Sequence, residues 1–301
     1  MGSPCVLHLY AAEAGAAGEV ARAATGEVRR LEHKYSRYRD DSITAAINAS
    51  AGREAGGVVD EETASLLDYA HTAWAQSDGL FDISAGVLRR AWDFKSGRLP
   101  APREVEAARS LVGWERVRWE RPRLALPVAG MELDFGGFVK EYAADRVAEL
   151  CRQRGLRHGL VDLGGDLAVV GPHPDGSPWI TGVRDPRQPQ HALATLRLSS
   201  GGLASSGDYE RCMWVDGQRY GHILNPRTGW PVRGLASVSV AASHCLVAGS
   251  ASTIAMLKEG REALGWLDAL GLPNLRIDQS NRVSGTLRER GVAAGVSAAS
   301  P

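Results

Sequence analysis

His222 closes the segment CMWVDGQRYGH and is followed almost at once by Asn225-Pro226-Arg227-Thr228-Gly229, a turn rich in hydrogen-bonding groups. A histidine at such an edge can serve as a general base near neutral pH. The same residue can also be a satisfied turn histidine. A Ser-His-Asp triad drawn from Ser206, His222 and an aspartate is conceivable, but no GxSxG elbow supports it. A second candidate is LDFGGFVKEYAAD (Leu133–Asp145), where an Asp, two glycines and a Lys fall where a strand turns into a helix. Such a junction offers free backbone N–H groups, and Lys140 could reach a phosphate. It is neither a Walker A loop nor a GxGxxG fingerprint. In GLFDISAGVLRRAWDF (Gly79–Phe94), Phe81 beside Asp82 could stack on and hydrogen-bond a heteroaromatic ring, or Phe81 and Trp92 could be core. KYSRYRDDSITAAIN interleaves Tyr35 and Tyr38 with charges, but it is short and Asp40 and Asp41 balance its basic residues, which argues against nucleic acid.

Four helices are predicted around these segments. Val20, Ala24, Val28 and Leu31 form one apolar stripe on a helix ending near Lys34. Asp60, followed by Glu61 and Glu62, reads as the N-cap of a second, with Leu66, Ala70, Ala73 and Trp74 inward. A third runs from about Phe138 to Arg154, burying Val139, Tyr142, Ala143, Val147 and Leu150. A fourth, near His244–Leu257, is rich in small residues, which suits close approach to another backbone or a ligand. Strands lie between. GLVDLGGDLAVVG (Gly159–Gly171) is interrupted at Gly164 and Gly165, which points to a bulge or a close backbone approach. Trp179–Val183 and Ala192–Leu198 follow. Asp216-Gly217 is a preferred pair for a tight hairpin turn. Ala236–Ala242 alternates Val with Ser and predicts a strand half exposed to solvent. Helices at the two ends with strands between give an α+β fold rather than a doubly wound parallel sheet.

The 301 residues carry 35 basic and 35 acidic side chains, so a global polycation for nucleic acid is excluded. Hydrophobic residues make up 44%, enough for a sizeable core. No apolar run approaches a membrane span, and the N-terminus does not read as a secretion signal. Cys5, Cys151, Cys212 and Cys245 are scattered, without a zinc spacing, as expected of free thiols in a cytoplasmic protein. No linker splits the chain: RLPAPR (Arg98–Arg103) joins two elements, residues 1–290 are read as one domain, and 291–301 as a frayed tail.

Taken in order, YSRYRDDS, GLFD, DFGGFVKEYAAD, DLGGD, SGDYE and HILNPRTGWPV resemble the FAD:protein FMN transferase family, also called the ApbE family, from Met1 to about Leu270. The resemblance implies an enzyme that cleaves the pyrophosphate of FAD. It would transfer FMN to a Thr or Ser hydroxyl of a target flavoprotein and release AMP. It also implies an α+β protein related to the tunnelling fold, with a central mixed or antiparallel sheet flanked by helices and a flavin cleft between two lobes. By the same resemblance, His222 falls on the catalytic histidine. Met1, Tyr38, Leu80, Phe81, Asp82, Asp134, Lys140 and Leu224 fall on cofactor-binding positions, Tyr38 and Phe81 giving flat apolar surface and Asp82 and Asp134 orienting hydrogen bonds.

A magnesium ion is implied as well, and here the sequence departs from the family pattern. The family's acidic block, resembling Ala-Asp-Ala-x-Asp/Ala-Thr, corresponds to Ala248-Gly249-Ser250-Ala251-Ser252-Thr253. Gly249 stands at the Asp position, leaving Ser252, Thr253 and the Gly137 carbonyl as ligands, all neutral oxygens that favour a hard cation weakly. Glu141 stands where a Gly usually follows the Lys, and Asp162 where an Asn is common. Glu141, another acid, or the phosphates of FAD would have to supply the missing charge. Two other readings follow from the departure: a non-catalytic FAD-binding protein with His222 idle, and a FAD pyrophosphatase in which water replaces the protein hydroxyl.

Overall fold

In the computed structural model, which describes residues 3–188, 191–209 and 211–288, the apolar stripes become helix faces. Helix α1 (Ala14–Tyr35) follows strand β1 (Cys5–Tyr10) and buries Val20, Ala24 and Leu31, with Val28 packed beside them. After α2 (Ile43–Ala49) and β2 (Gly57–Val58), helix α3 (Glu61–Gln76) starts at Asp60, whose carboxylate accepts from the Thr63 N–H at 3.2 Å. That bond satisfies one of the donors a helix start leaves open. The 3₁₀ segment Ile83–Arg90 leads to α4 (Pro102–Arg109), so RLPAPR does join two elements, with Pro102 in the first turn. Strands β3 (Arg118–Glu120) and β4 (Arg123–Ala125) precede α5 (Val139–Gln153).

The strand-rich half comprises β5 (His158–Leu163), β6 (Asp166–Gly171), β7 (Trp179–Arg184), β8 (Ala192–Leu198), β9 (Gly202–Gly207), β10 (Cys212–Val215), β11 (Gln218–Gly221) and β12 (Leu235–Ala242). Then come α6 (Cys245–Lys258), α7 (Gly260–Leu270), β13 (Asn274–Asp278) and β14 (Val283–Ser284). The main sheet has the order β1-β5-β6-β9-β12-β13-β14, and each of its pairings is antiparallel. Its two faces separate residue by residue. Val161, Ala168, Val170, Ala204, Val238 and Val240 point into the core shared with α1, α3, α5 and α6. Leu160, Leu167, Val169, Leu203, Leu275 and Ile277 pack with Trp179, Val183, Leu196 and Leu198 of the β7–β8 hairpin. This period-two division is what a sheet covered on both faces requires.

That double cover corrects one expectation. Strand β12 is buried along its whole length rather than half exposed. Its serines sit inside because neighbouring groups satisfy them: Ser239 Oγ pairs with Ser205 Oγ at 2.7 Å, and Ser237 donates to the Ser206 carbonyl at 3.1 Å. Gly164 and Gly165 form the turn between β5 and β6 rather than a bulge, with φ of 69° and 92°, and the close approach, the other expectation, is met at Gly164, where a Cβ would lie 2.5 Å from Ser3 Cβ. By contrast, Asp216-Gly217 makes the expected tight turn, both residues with positive φ, between β10 and β11.

The architecture is α+β, as the sequence implied. Met1 and the expected tail, 291–301, lie outside the described residues. No helix among the described residues is long and apolar enough to cross a membrane. All four cysteines are free.

Candidate active site

Two constellations emerge, one at the edge of the β10–β11 hairpin and one along the contact of α5 with α6. His222 follows β11 directly, where Cys212 pairs with Gly221. The turn after it is held by Asn225, whose Oδ1 accepts from the N–H of Arg227 at 2.9 Å and of Thr228 at 3.3 Å. The Gly229 carbonyl accepts from Trp92 Nε1 at 2.8 Å, pinning the turn to the segment that carries Arg89. Leu224 packs with Trp92, Met213 and Tyr220 beneath this edge. Burial first, then the positive charges of Arg211, Arg89 and Lys140, depress the His222 pKa to about 4. The imidazole is therefore neutral at pH 7. Its Nδ1 is buried without a hydrogen-bond partner among the described residues.

Arg89 also defines the acidic and aromatic neighbours of this edge. Its guanidinium lies 2.7 Å from Asp134, and Arg37 reaches the same carboxylate at 3.4 Å. Asp134 in addition accepts from the Gly136 N–H at 2.9 Å, fixing the loop that feeds α5. Gly86 makes this crossing possible, because a Cβ there would stand 2.4 Å from the Asp134 Cβ. Arg37 lies over the Tyr38 ring, 4.7 Å from its centroid, and donates to the Tyr38 hydroxyl at 2.9 Å. Burial raises the Tyr38 pKa, but Arg37 and Arg89 outweigh it and the net shift is downward. Tyr38 itself is 79% exposed.

The GLFD segment behaves differently from its expected role. Leu80 is buried with Val232 and Leu257. Phe81 is 5% exposed, its ring 6.1 Å from that of Phe138 inside the core. Any contribution of this pair to a ligand would thus come from backbone rather than from a ring face. Asp82 spends both oxygens within the protein: Oδ1 accepts from Ser84 N and Oγ at 2.7 and 2.6 Å, and Oδ2 from Trp114 N at 3.0 Å. It caps and braces the 3₁₀ segment that ends at Arg89 and Arg90. Burial outweighs these donors and raises its pKa.

The second constellation is buried. Lys140 Nζ pairs with Asp166 at 2.7 Å. Next to Lys140, Glu141 turns inward from α5 against α6. A Cβ on Gly249 would lie 2.6 Å from Glu141 Cγ and 2.9 Å from Oε1. Burial and the neighbouring Asp166 charge push Glu141 well above the usual carboxylate range, with Lys140 opposing. Its Oε2 has no hydrogen-bond partner among the described residues. One turn further along α6, Ser252 and Thr253 both meet Ser206 Oγ, at 2.8 and 2.9 Å, and Ser252 donates to the Gly249 carbonyl at 2.9 Å. Ser206 is thereby engaged with α6, and the triad reading with His222 falls. Asp162 accepts from Gly165 N at 2.7 Å and belongs to the β5–β6 turn. Among the described residues, no three His, Cys, Asp or Glu side chains form a metal cluster.

The sequence reading singled out His222, Asp134 and Tyr38 in three separate segments and missed Arg37 and Arg89, which join Asp134 to Tyr38 and bring positive charge to bear on His222. Their signal was present as arginines flanking the singled-out aromatics in YSRYR and VLRRAW, but nothing in their spacing distinguished them from surface charges.

The comparisons with known proteins bear on the whole of this arrangement. Residues 1–275 match the ApbE family. The chain is 31% identical over 252 residues to a FAD:protein FMN transferase of Klebsiella pneumoniae, covering 82% of this chain and 76% of that protein. It is 31% identical over 292 residues to one from Treponema pallidum, covering 86% and 80%. The fold superposes on the crystal structure of the ApbE protein from Thermotoga maritima with a TM-score of 0.87 at 30% identity, over 95% of this chain and 94% of that one. A match spanning nearly the full length, in sequence and in fold alike, decides the matter: the chain belongs to the ApbE family.

Proposed function

We propose that this protein is a FAD:protein FMN transferase, a magnesium-assisted enzyme that attaches FMN to a Thr or Ser hydroxyl of a target flavoprotein. Family membership supports the class of reaction, and one feature of the edge carries the mechanism: a neutral imidazole surrounded by cationic groups. His222 takes the proton from the acceptor hydroxyl. The freed oxygen attacks the flavin-side phosphorus of FAD, the phosphoanhydride bond breaks, and AMP leaves with the bridging oxygen. Because its pKa is held near 4, His222 is almost wholly in the proton-accepting form at neutral pH. Arg89, Arg211 and Lys140, which lower that pKa, also favour a pyrophosphate beside it. Tyr38, exposed and stacked on Arg37, offers a flat face to one of the rings of FAD. Leu224 adds apolar surface under the hairpin edge.

For the cation, Ser252 and Thr253 with the Gly137 carbonyl are the neutral oxygens. The buried, unpartnered Glu141 oxygen beside Gly249 fits a group that needs negative charge there. A bound divalent cation would offset charge developing on the phosphates. The four unpaired thiols support a cytoplasmic site of action.

The test is to incubate the protein with FAD, Mg²⁺ and a flavoprotein fragment bearing a Thr acceptor, then to read flavin fluorescence on the denatured fragment. A fluorescent band with equimolar AMP is the expected result. AMP and free FMN without a band would make it a pyrophosphatase, and FAD bound but intact would make it a carrier; either overturns the proposal.

A further inference from the structure

A carboxylate buried without a full set of partners is costly unless something else comes to it. Glu141 is such a group. Its Oε2 is unpartnered among the described residues, and its side chain fills the notch that Gly249 leaves on α6. The distances of 2.6 Å to Cγ and 2.9 Å to Oε1 from a Cβ built on Gly249 place the Glu141 carboxylate in the volume that a side chain at 249 would occupy. The two positions therefore cannot both carry large side chains. The same place on α6 is reached from α5 instead.

What surrounds that carboxylate is chemistry for a hard cation. Asp166 is in contact with it and is 3% exposed. Lys140 offers one ammonium, 2.7 Å from Asp166. One turn along α6 from Gly249, Ser252 and Thr253 meet Ser206 Oγ at 2.8 and 2.9 Å, a group of three hydroxyl oxygens. Ser252 is fully buried, and Thr253 is partly exposed. Carboxylate and hydroxyl oxygens are the ligands that Mg²⁺ and Mn²⁺ prefer.

We propose that Glu141, entering from α5 through the space left by Gly249, is the anionic ligand of a divalent cation bound at the Ser252–Thr253 turn of α6. The acidic group and the glycine form an exchanged pair: the charge stays in place while the helix that supplies it changes. This inference rests on the reading of the site as cation-assisted, yet it concerns binding to the free protein and is tested without FAD.

The experiment is a Mn²⁺ titration of the full chain followed by electron paramagnetic resonance, with no nucleotide present. The forms compared are the wild type, Glu141→Gln, and the double variant Glu141→Gly with Gly249→Asp. Loss of a charged ligand is expected to weaken Mn²⁺ binding about tenfold or more in Glu141→Gln. The double variant, which returns the carboxylate to α6, is expected to bind within about threefold of wild type, by the same ligand logic. Circular dichroism melting accompanies each form, so that a folding defect in one is not read as a lost ligand. Unchanged Mn²⁺ affinity in folded Glu141→Gln overturns the proposal. So does a double variant that folds but stays as weak as Glu141→Gln, and so does a wild type that binds no Mn²⁺ by itself. In that last case flavin transfer could still proceed with metal delivered on FAD, which separates failure of this inference from failure of the proposed function.

Discussion

The hairpin edge around His222 and the seam between α5 and α6 differ in almost every physical respect. The edge is built from turns and loop ends, is rich in arginine, and leaves Tyr38 in solvent. The seam is built from two helices and strands β6 and β9, is dominated by carboxylates and hydroxyls, and is closed to solvent at Glu141 and Ser252. One region gathers positive charge around a histidine that, on the proposed reading, handles a proton; the other gathers carboxylates and hydroxyls around a single lysine. A pyrophosphate being cleaved with a cation's help needs both, and needs them kept apart so that arginine and carboxylate do not simply neutralise each other. Lys140 stands between, paired with Asp166 in the seam while its charge is felt at His222. The difference teaches that carboxylates and hydroxyls are enclosed where they need neighbours to offset desolvation, while arginines and an exposed ring line the side open to solvent.

The sharpest way to break this division is to remove the proposed base. His222→Ala is expected to lower the rate of flavin transfer about 10²- to 10⁴-fold, the usual worth of a general base, while FAD still binds. Transfer at the normal rate would show that the edge serves only as a phosphate cradle. Removing a cation from the same edge should act on binding instead. Arg89→Ala is expected to weaken FAD affinity about tenfold, in the range of a hydrogen bond to a charged group, with Asp134 still held by Arg37. Because Arg89 lowers the His222 pKa, the same variant should shift the acid limb of kcat/KM to higher pH. An affinity loss without that shift would mean that Arg89 and His222 do not share a field.

The pH profile sharpens the comparison further. In the free enzyme His222 loses its proton near pH 4, so kcat/KM should stay flat down to about that pH instead of falling near 6.5. Stability carries the opposite sign. Between pH 6.5 and 4 the unfolded chain takes up a proton at this histidine that the native protein does not, so stability falls as pH drops through that window. His222→Ala should remove that part of the loss, as measured by urea unfolding at pH 7 and pH 5.

How much of this was legible in the sequence follows the same division. The helices α1, α3 and α5 were visible because burial on one face imposes a 3.6-residue period, whereas α6, buried on nearly every side, was marked only by its small residues. Strand β1 was missed because it is an edge strand, with no residue of Cys5–Tyr10 fully buried and so little contrast to read. The burial of β12 was misjudged because its serines are satisfied by β9, a fact of pairing and not of local pattern. At the site, His222 and Asp134 stood out by motif, whereas the ring of Phe81 went to the core, where an apolar residue next to a cap has every reason to go. Glu141 opposite Gly249 was legible as two separate departures. Only the packing of α5 on α6 makes them one.

The smallest effect tests whether the seam is held by its own helix geometry. Asp145 on α5 caps α6, accepting from Cys245 N at 2.8 Å and Leu246 N at 2.9 Å. These are two of the N–H groups that the start of α6 would otherwise leave open. Asp145 is thus the fixed point from which Gly249, Ser252 and Thr253 are placed along α6. Burial outweighs the two donors and raises its pKa, so desolvation offsets part of what the cap contributes. A loss of about 1 kcal/mol is therefore expected for Asp145→Ala, the middle of the range for capping residues. In a chain of this size that corresponds to a fall in Tm of about 2 °C. Transfer at 25 °C should be retained, because α6 is still packed on β9, β12 and α5 along the stretch that carries Gly249, Ser252 and Thr253. If the rate fell with Tm intact, the position of α6 would be limiting for the chemistry, and the separation of seam from edge would have to be redrawn as a single coupled unit.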